Sequence, residues 1–125
     1  MALVASSCTD NSDAGDLTRF CAETEANIEA LTAPELSFSD DVDALLELYR
    51  EVGQYAPLSI EREWEQLIVN YETASTVVPG DDESMQRAIA EALRSETSAV
   101  IVRDWLRTNC SVDFGPVDTV APQGN

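Results

Sequence analysis

The chain has 125 residues, which is enough for one domain with a hydrophobic core and too few for two. It carries 24 acidic and 7 basic residues, a formal net charge of −17, and no histidine. The missing histidine excludes Ser-His and Cys-His nucleophiles, histidine metal ligands and the Glu-x-x-His di-iron pattern. A surface this acidic repels nucleic-acid phosphates and anionic lipids, whereas basic proteins, cations and neutral ligands suit it.

Residues 1–15 are predicted to be a signal remnant followed by a flexible tether. An apolar-then-small run, residues 3–7, precedes Cys8, and a polar segment follows it. This order is similar to the end of a lipoprotein signal, in which Cys8 would carry the lipid anchor. The match is imperfect, because Ala5 stands where leucine is usual and seven residues are too few for a signal peptide. The alternative is a disordered N-terminus with an incidental cysteine.

Residues 16–115 are predicted to form one all-α domain, an up-down bundle of four helices joined by short loops. Apolar residues recur at i, i+3, i+4 and i+7 in four segments, near residues 16–31, 40–55, 57–76 and 81–109. This 3.6-residue period favours helix throughout, including the short apolar run at residues 99–102, where a strand could compete.

The ends and faces of these segments add detail. Asp16 is predicted to cap the first helix, and Ser39 or Asp40 to cap the second. Residues 95–98 could kink or divide the last helix, which would give five helices. Residues 116–125 are aperiodic and are predicted to be a loose tail, with Phe114 packing just before it. Seven residues are predicted to line the buried side of the last helix: Met85, Ala88, Ile89, Ala92, Ala99, Val102 and Leu106.

Two cysteines bracket the predicted bundle. Cys21 lies about one turn into the first helix, and Cys110 lies at the end of the last. In a bundle with an even number of antiparallel helices, these two ends meet, so a Cys21–Cys110 disulfide is predicted. A disulfide indicates an oxidising compartment, the cell envelope or the outside of the cell. The alternative is a pair of buried free thiols, as in many cytosolic proteins.

Carboxylates are the first candidates for a binding site. Two aspartate groups, residues 10, 13 and 16 and residues 40, 41 and 43, lack the spacing of a calcium-binding EF-hand loop. Glu61, Glu65 and Glu72 share a helix face, but no histidine completes a bundle metal site. The first aspartate group lies in the tether, and capping and the helix dipole explain the second. A solvated helix face explains the glutamates, so no metal site and no cofactor are predicted.

Aromatic residues are the second candidates. Four of them, Tyr49, Tyr55, Trp64 and Tyr71, lie on the second and third segments, and Trp105 lies on the fourth. They could line an apolar ligand pocket between helices, although core packing explains most of them equally well. Trp105 is offset by one position from Leu106, so it is predicted to be partly exposed and is a candidate for an interaction.

Several stretches carry a resemblance to known proteins: residues 20–22, 43–52, 56–64 and 105–115, which read FCA, DALLELYREV, APLSIEREW and WLRTNCSVDFG. Over residues 17–115 the chain resembles a group of small exported actinobacterial proteins. The resemblance implies a secreted or lipid-anchored helical domain with an N- and C-terminal cysteine pair. It implies no catalytic residue and no activity.

Together these observations predict a non-enzymatic binding or interaction module outside the cytosol. Its partner would be an envelope protein or a small ligand, and it would contact the membrane only through a lipid on Cys8. An alternative of a different class is an acidic cytosolic inhibitor that mimics nucleic acid. An enzyme that uses carboxylates alone and a cation-binding protein are further alternatives, and the sequence leaves the oligomeric state open.

Overall fold

The computed structural model describes residues 15–32 and 39–115, with side chains described for 15–32 and 42–115. Cys8, most of the predicted tether, the predicted tail and the side chains of residues 39–41 lie outside this part of the chain. Within it there is no strand and there are five helices: α1 Leu17–Ala26, α2 Ile28–Thr32, α3 Ser39–Gly53, α4 Leu58–Ala74 and α5 Asp82–Cys110. The predicted all-α bundle is therefore confirmed.

The fifth helix arises at a place the sequence did not indicate. The sequence predicts one helix over residues 16–31, capped by Asp16, whose carboxylate does accept the N–H of Arg19 at 3.1 Å. That helix is interrupted at Asn27, which has φ −113° and ψ 16°. The Asn27 side chain donates to the carbonyl of Glu23 at 2.8 Å, and the backbone N–H of Asn27 donates to the same carbonyl at 3.1 Å. The first predicted helix is thus divided into α1 and α2.

Helix α5 is continuous over its 29 residues, so the break considered at residues 95–98 is absent. Ser95 lies within the continuous helix, and its hydroxyl donates to the carbonyl of Glu91 at 2.8 Å, one turn earlier. Asp81 caps the start of the helix by accepting the N–H of Ser84 at 3.1 Å. Ser111 ends it in a left-handed conformation with φ 55°.

Helix α4 lies in the middle of the bundle. It packs against α3 on one side and against α5 on the other, while α1 packs against α3 and α5, and α2 against α3. The short connections at residues 54–57 and 75–81 make α3, α4 and α5 antiparallel neighbours. The side chains with almost no exposure mark the centre of the core: Phe20, Leu31, Tyr49, Val52, Ile60, Trp64, Val102 and Leu106.

Both ends of the described domain are tied to this core. Gly15 has φ +80°, and a Cβ there would lie 2.3 Å from the carbonyl oxygen of Ala56, so the chain enters α1 through a contact that suits glycine. The N–H of Asp16 donates to the carbonyl of Tyr55 at 2.9 Å. After α5, Val112 and Phe114 are buried in the core, as predicted for Phe114.

Candidate interaction surface

The disulfide joins the start and the end of the helical domain. Cys21, in the second turn of α1, is bonded to Cys110, the last residue of α5, with 5.2 Å between the Cα atoms. The bond closes a loop between residues 89 apart in sequence. In the chain-entropy model, closing a loop of this length stabilises the fold by about 4–5 kcal/mol. The predicted Cys21–Cys110 pair is confirmed.

Three of the candidate pocket residues form a buried aromatic cluster. Trp64 is 1% exposed, and its ring lies 5.0 Å from that of Tyr49 and 5.1 Å from that of Phe20. Tyr49 and Tyr71 are also buried, with ring centroids 4.9 Å apart. The indole N–H of Trp64 donates to the carbonyl of Tyr49 at 2.9 Å. These side chains pack against one another, so they act as core rather than as the lining of a ligand pocket.

Burial also makes the two tyrosines of this cluster harder to ionise. Burial raises the pKa of Tyr49 well above its ordinary value, and the neighbouring Tyr71 raises it further. The Tyr49 hydroxyl donates to the carbonyl of Leu31 at 3.2 Å. Burial likewise raises the pKa of Tyr71, while the neighbouring Tyr49 hydroxyl acts in the opposite direction. Both phenols therefore stay protonated to a higher pH than an exposed tyrosine does.

Trp105 is half-buried, in line with its offset from the apolar stripe. Its indole N–H donates to the hydroxyl of Ser59 at 3.1 Å, and its ring lies 5.7 Å from that of Phe20 in an edge-on arrangement. These contacts link the end of α5 to the starts of α4 and α1. One edge of the Trp105 ring and its indole N–H thus make contacts within the protein. Only the remaining exposed part of the ring is left to contact a partner.

The candidate carboxylates of α4 do not converge. Glu61 and Glu65 lie on the outer side of α4, beside an open cavity of about 590 Å³ whose described lining also includes Leu58, Arg62, Gln66 and Val69. Glu72 instead forms an ion pair with Arg50 of α3 at 2.6 Å. Among the side chains of residues 15–32 and 42–115, no group of three or more histidine, cysteine or acidic residues is arranged to hold a metal ion.

A polar cluster between α4 and α5 was not predicted. The amide of Gln66 donates to a carboxylate oxygen of Glu91 at 2.5 Å and to the hydroxyl of Ser95 at 3.1 Å. Arg94 donates to the other carboxylate oxygen of Glu91 at 2.6 Å. Glu91 is 9% exposed, unusually buried for an acid. The small residues that flank it on α5, Ala88 and Ala92, are the sequence signal that could have revealed a close helix contact there.

Helix α5 carries a second face that is largely exposed. Met85 is 38% and Leu93 is 59% exposed, while Ile89 and Val100 are half-buried and lie outside the core. The sequence places Met85 and Ile89 on the buried side, and that assignment is wrong because the buried side is centred on Ala88, Ala92 and Ser95. We name this second face the α5 strip: Asp82, Met85, Ile89, Leu93, Glu96 and Val100.

The charge around this surface is negative. Six of the seven arginines form ion pairs with acids of the described chain: Arg19, Arg50, Arg87, Arg94, Arg103 and Arg107. Most of the 24 acids therefore have no basic residue within the chain to offset them. Such a surface attracts cationic partners over several ångströms and repels anionic ones.

Comparisons with protein-family models, with curated proteins and with solved structures found no match for this chain. None of the helices in the described ranges combines the length and the apolarity that crossing a membrane requires.

Proposed function

We propose that this protein is a non-enzymatic binding module that works in the cell envelope or outside the cell. The Cys21–Cys110 bond is the observation that carries the proposal, because disulfides that join distant elements persist in oxidising compartments. The resemblance of residues 17–115 to exported actinobacterial helical domains supports the same location. An anchor on Cys8 would hold the module at a membrane surface.

The binding role is supported by how the side chains are used. Tyr49, Trp64 and Tyr71 fill the core, whereas aliphatic side chains remain on the surface at Leu58, Leu93 and Ile101. An acidic surface that also presents large aliphatic side chains suits recognition of another molecule. The partner would be an envelope protein or a small ligand.

A cross-linking experiment tests the binding role. The chain has no lysine, so a carbodiimide, which joins carboxylates to amines, cannot link two copies through their side chains. Purified oxidised protein that carries a fluorescent label is added to an envelope suspension together with the carbodiimide. We expect a discrete labelled adduct, and we expect excess unlabelled protein to suppress it. The reduced and denatured protein, which has the same carboxylates, is the control. Equal adducts from both forms, or none from either, would contradict a folded binding module.

A second candidate function follows from the charge. An acidic inhibitor that mimics nucleic acid needs a large uncompensated negative charge, and the net charge of −17 with most arginines in ion pairs meets this requirement. Such an inhibitor acts in the cytosol, where thiols are kept reduced, and it needs no disulfide. The redox state of Cys21 and Cys110 in cells therefore distinguishes the two candidates.

A further inference from the structure

We propose that the α5 strip docks a basic amphipathic helix of a partner protein. This inference rests on the proposed binding role and names the class of partner and the surface that receives it. Three features of the strip carry it: its spacing along α5, its position relative to the core, and the charges at its ends and centre.

The spacing forms a continuous helical face. Successive members, from Asp82 to Val100, are separated by 3, 4, 4, 3 and 4 residues. This is the spacing of side chains on one side of a helix, and the face extends over about 27 Å at 1.5 Å per residue. Aliphatic anchors at such intervals fit between the side-chain ridges of a second helix, which is how helices recognise one another.

The position of the strip leaves it free of the core contacts of α5. At about 100° per residue, the strip is centred about 110° around the helix from the buried face. Glu91 and Ser95 contact Gln66 and so mark the flank next to α4, whereas the strip lies on the other flank. Helix α1 contacts the C-terminal end of α5, through Cys110 and Trp105. The exposure of Met85 and Leu93 follows from this arrangement.

The charges select a basic occupant. Asp82 at the start of the strip and Glu96 within it are exposed carboxylates, and neither forms an ion pair among the described residues. Arg87 and Arg94 lie on the opposite flank and pair with Glu83 and Glu91. Arg103, three residues beyond Val100 at the far end of the face, pairs with Asp104. A helix with lysine or arginine beside its aliphatic face complements this pattern. A second copy of this chain would instead bring another net charge of −17 against the same carboxylates.

The test uses the oxidised full chain and a synthetic probe. The probe is a fluorescent peptide of 18 leucines and lysines, about the length of the strip, spaced to form an amphipathic helix. A peptide of the same composition in scrambled order is the control for attraction by charge alone. Binding is measured by fluorescence anisotropy near physiological salt. The amphipathic peptide is expected to bind at least about tenfold more tightly than the scrambled one.

Matched variants locate the binding site. Leu93→Gln removes an exposed aliphatic side chain from the strip without changing charge, and Leu58→Gln does the same on α4, where Leu58 is 63% exposed. Leu93→Gln is expected to weaken binding about tenfold, and Leu58→Gln less than about twofold. Circular dichroism confirms that both variants fold.

Several results would overturn the docking proposal. These are absence of peptide binding, equal binding of the scrambled peptide, and equal effects of the two variants. The oligomeric state is measured by sedimentation. A dimer that Leu93→Gln dissociates and Leu58→Gln does not would show that the α5 strip binds a second copy of this chain. None of these results affects the carbodiimide experiment, so failure of this inference is distinguishable from failure of the proposed binding role.

Discussion

At the end of α3, Gly53 lies directly against the indole of Trp64. A Cβ at Gly53 would lie 2.7 Å from Cδ1 and 2.8 Å from Nε1 of that ring. The same ring donates its N–H to Tyr49 and contacts Phe20, so it cannot move without disturbing the aromatic cluster. The absence of a side chain at Gly53 is therefore what lets α3 and α4 approach at this point.

Replacing Gly53 with alanine tests this contact. At an open helical position the change would stabilise the fold by about 0.5–1 kcal/mol, but here we expect destabilisation by about 1–3 kcal/mol from overpacking. Urea unfolding followed by tryptophan fluorescence measures it. Gly80→Ala is the comparison, because nothing lies within 4 Å of a Cβ there and its cost of about 1 kcal/mol comes from the positive φ alone. A Gly53→Ala protein more stable than the parent would contradict the packing described.

The buried tyrosines predict how stability depends on alkaline pH. Because the pKa of Tyr71 is raised by burial above its ordinary value of 10.0, the unfolded chain loses that proton first as pH rises. Stability should therefore be unaffected by this residue below about pH 10 and should fall above it, by up to about 1.4 kcal/mol per pH unit.

Tyr71→Phe should reduce this alkaline loss. The free energy of unfolding is measured by chemical unfolding at about pH 7 and about pH 11. The variant is expected to be more stable, relative to the parent, at pH 11 than at pH 7. Both proteins would carry Cys8→Ser, which prevents a free thiol from attacking the disulfide at high pH. If the difference in free energy of unfolding between variant and parent is the same at both pH values, Tyr71 is not buried as a neutral phenol.

At the scale of elements, the contact between α4 and α5 depends on a polar cluster within a mainly apolar interface. Gln66 of α4 reaches both Glu91 and Ser95 of α5, and these bonds fix the position of one helix along the other. The Arg50–Glu72 pair between α3 and α4 is equally short but lies in solvent, with side chains 47% and 52% exposed. The first link is a largely buried amide–carboxylate hydrogen bond and the second is an exposed ion pair, so they should differ in energy.

Double-mutant cycles compare the two links. Gln66→Ala combined with Glu91→Ala is expected to show a coupling free energy of about 0.5–2 kcal/mol. Arg50→Ala combined with Glu72→Ala should show less than about 0.5 kcal/mol, because water screens that pair. Denaturant unfolding of the single and double variants provides both values. Equal coupling in the two cycles would remove the special role assigned to the buried cluster.

The sequence predicted the helices better than their faces. The 3.6-residue period located all the long helices, and the cysteine positions correctly indicated that the start of the first helix meets the end of the last. The break at Asn27 was missed because one asparagine with non-helical backbone angles leaves no trace in an apolar pattern. Met85 and Ile89 were assigned to the core because periodicity finds apolar faces but does not say which neighbour covers them. Glu91 was missed for a related reason, since its burial depends on Gln66 in another helix.

At the scale of the whole molecule, a strong negative charge and a closed covalent loop act together. Self-repulsion among the acids opposes the compact state, and the Cys21–Cys110 bond restricts the unfolded chain and so favours that state. Such bonds persist in oxidising compartments, so the stability of the fold depends on the redox state of its surroundings. The two candidate functions therefore predict opposite redox states for these two cysteines. A binding module outside the cytosol predicts a disulfide, and a cytosolic nucleic-acid mimic predicts free thiols.

Thiol trapping in the source cells measures this directly. Cells are quenched in acid, free thiols are alkylated, and the protein from cytosolic, envelope and medium fractions is digested without reduction and analysed by mass spectrometry. The proposed function predicts a peptide pair linked through Cys21 and Cys110, found in the envelope or medium fraction. Protein found in the cytosol with both cysteines alkylated would contradict it and would favour the acidic mimic.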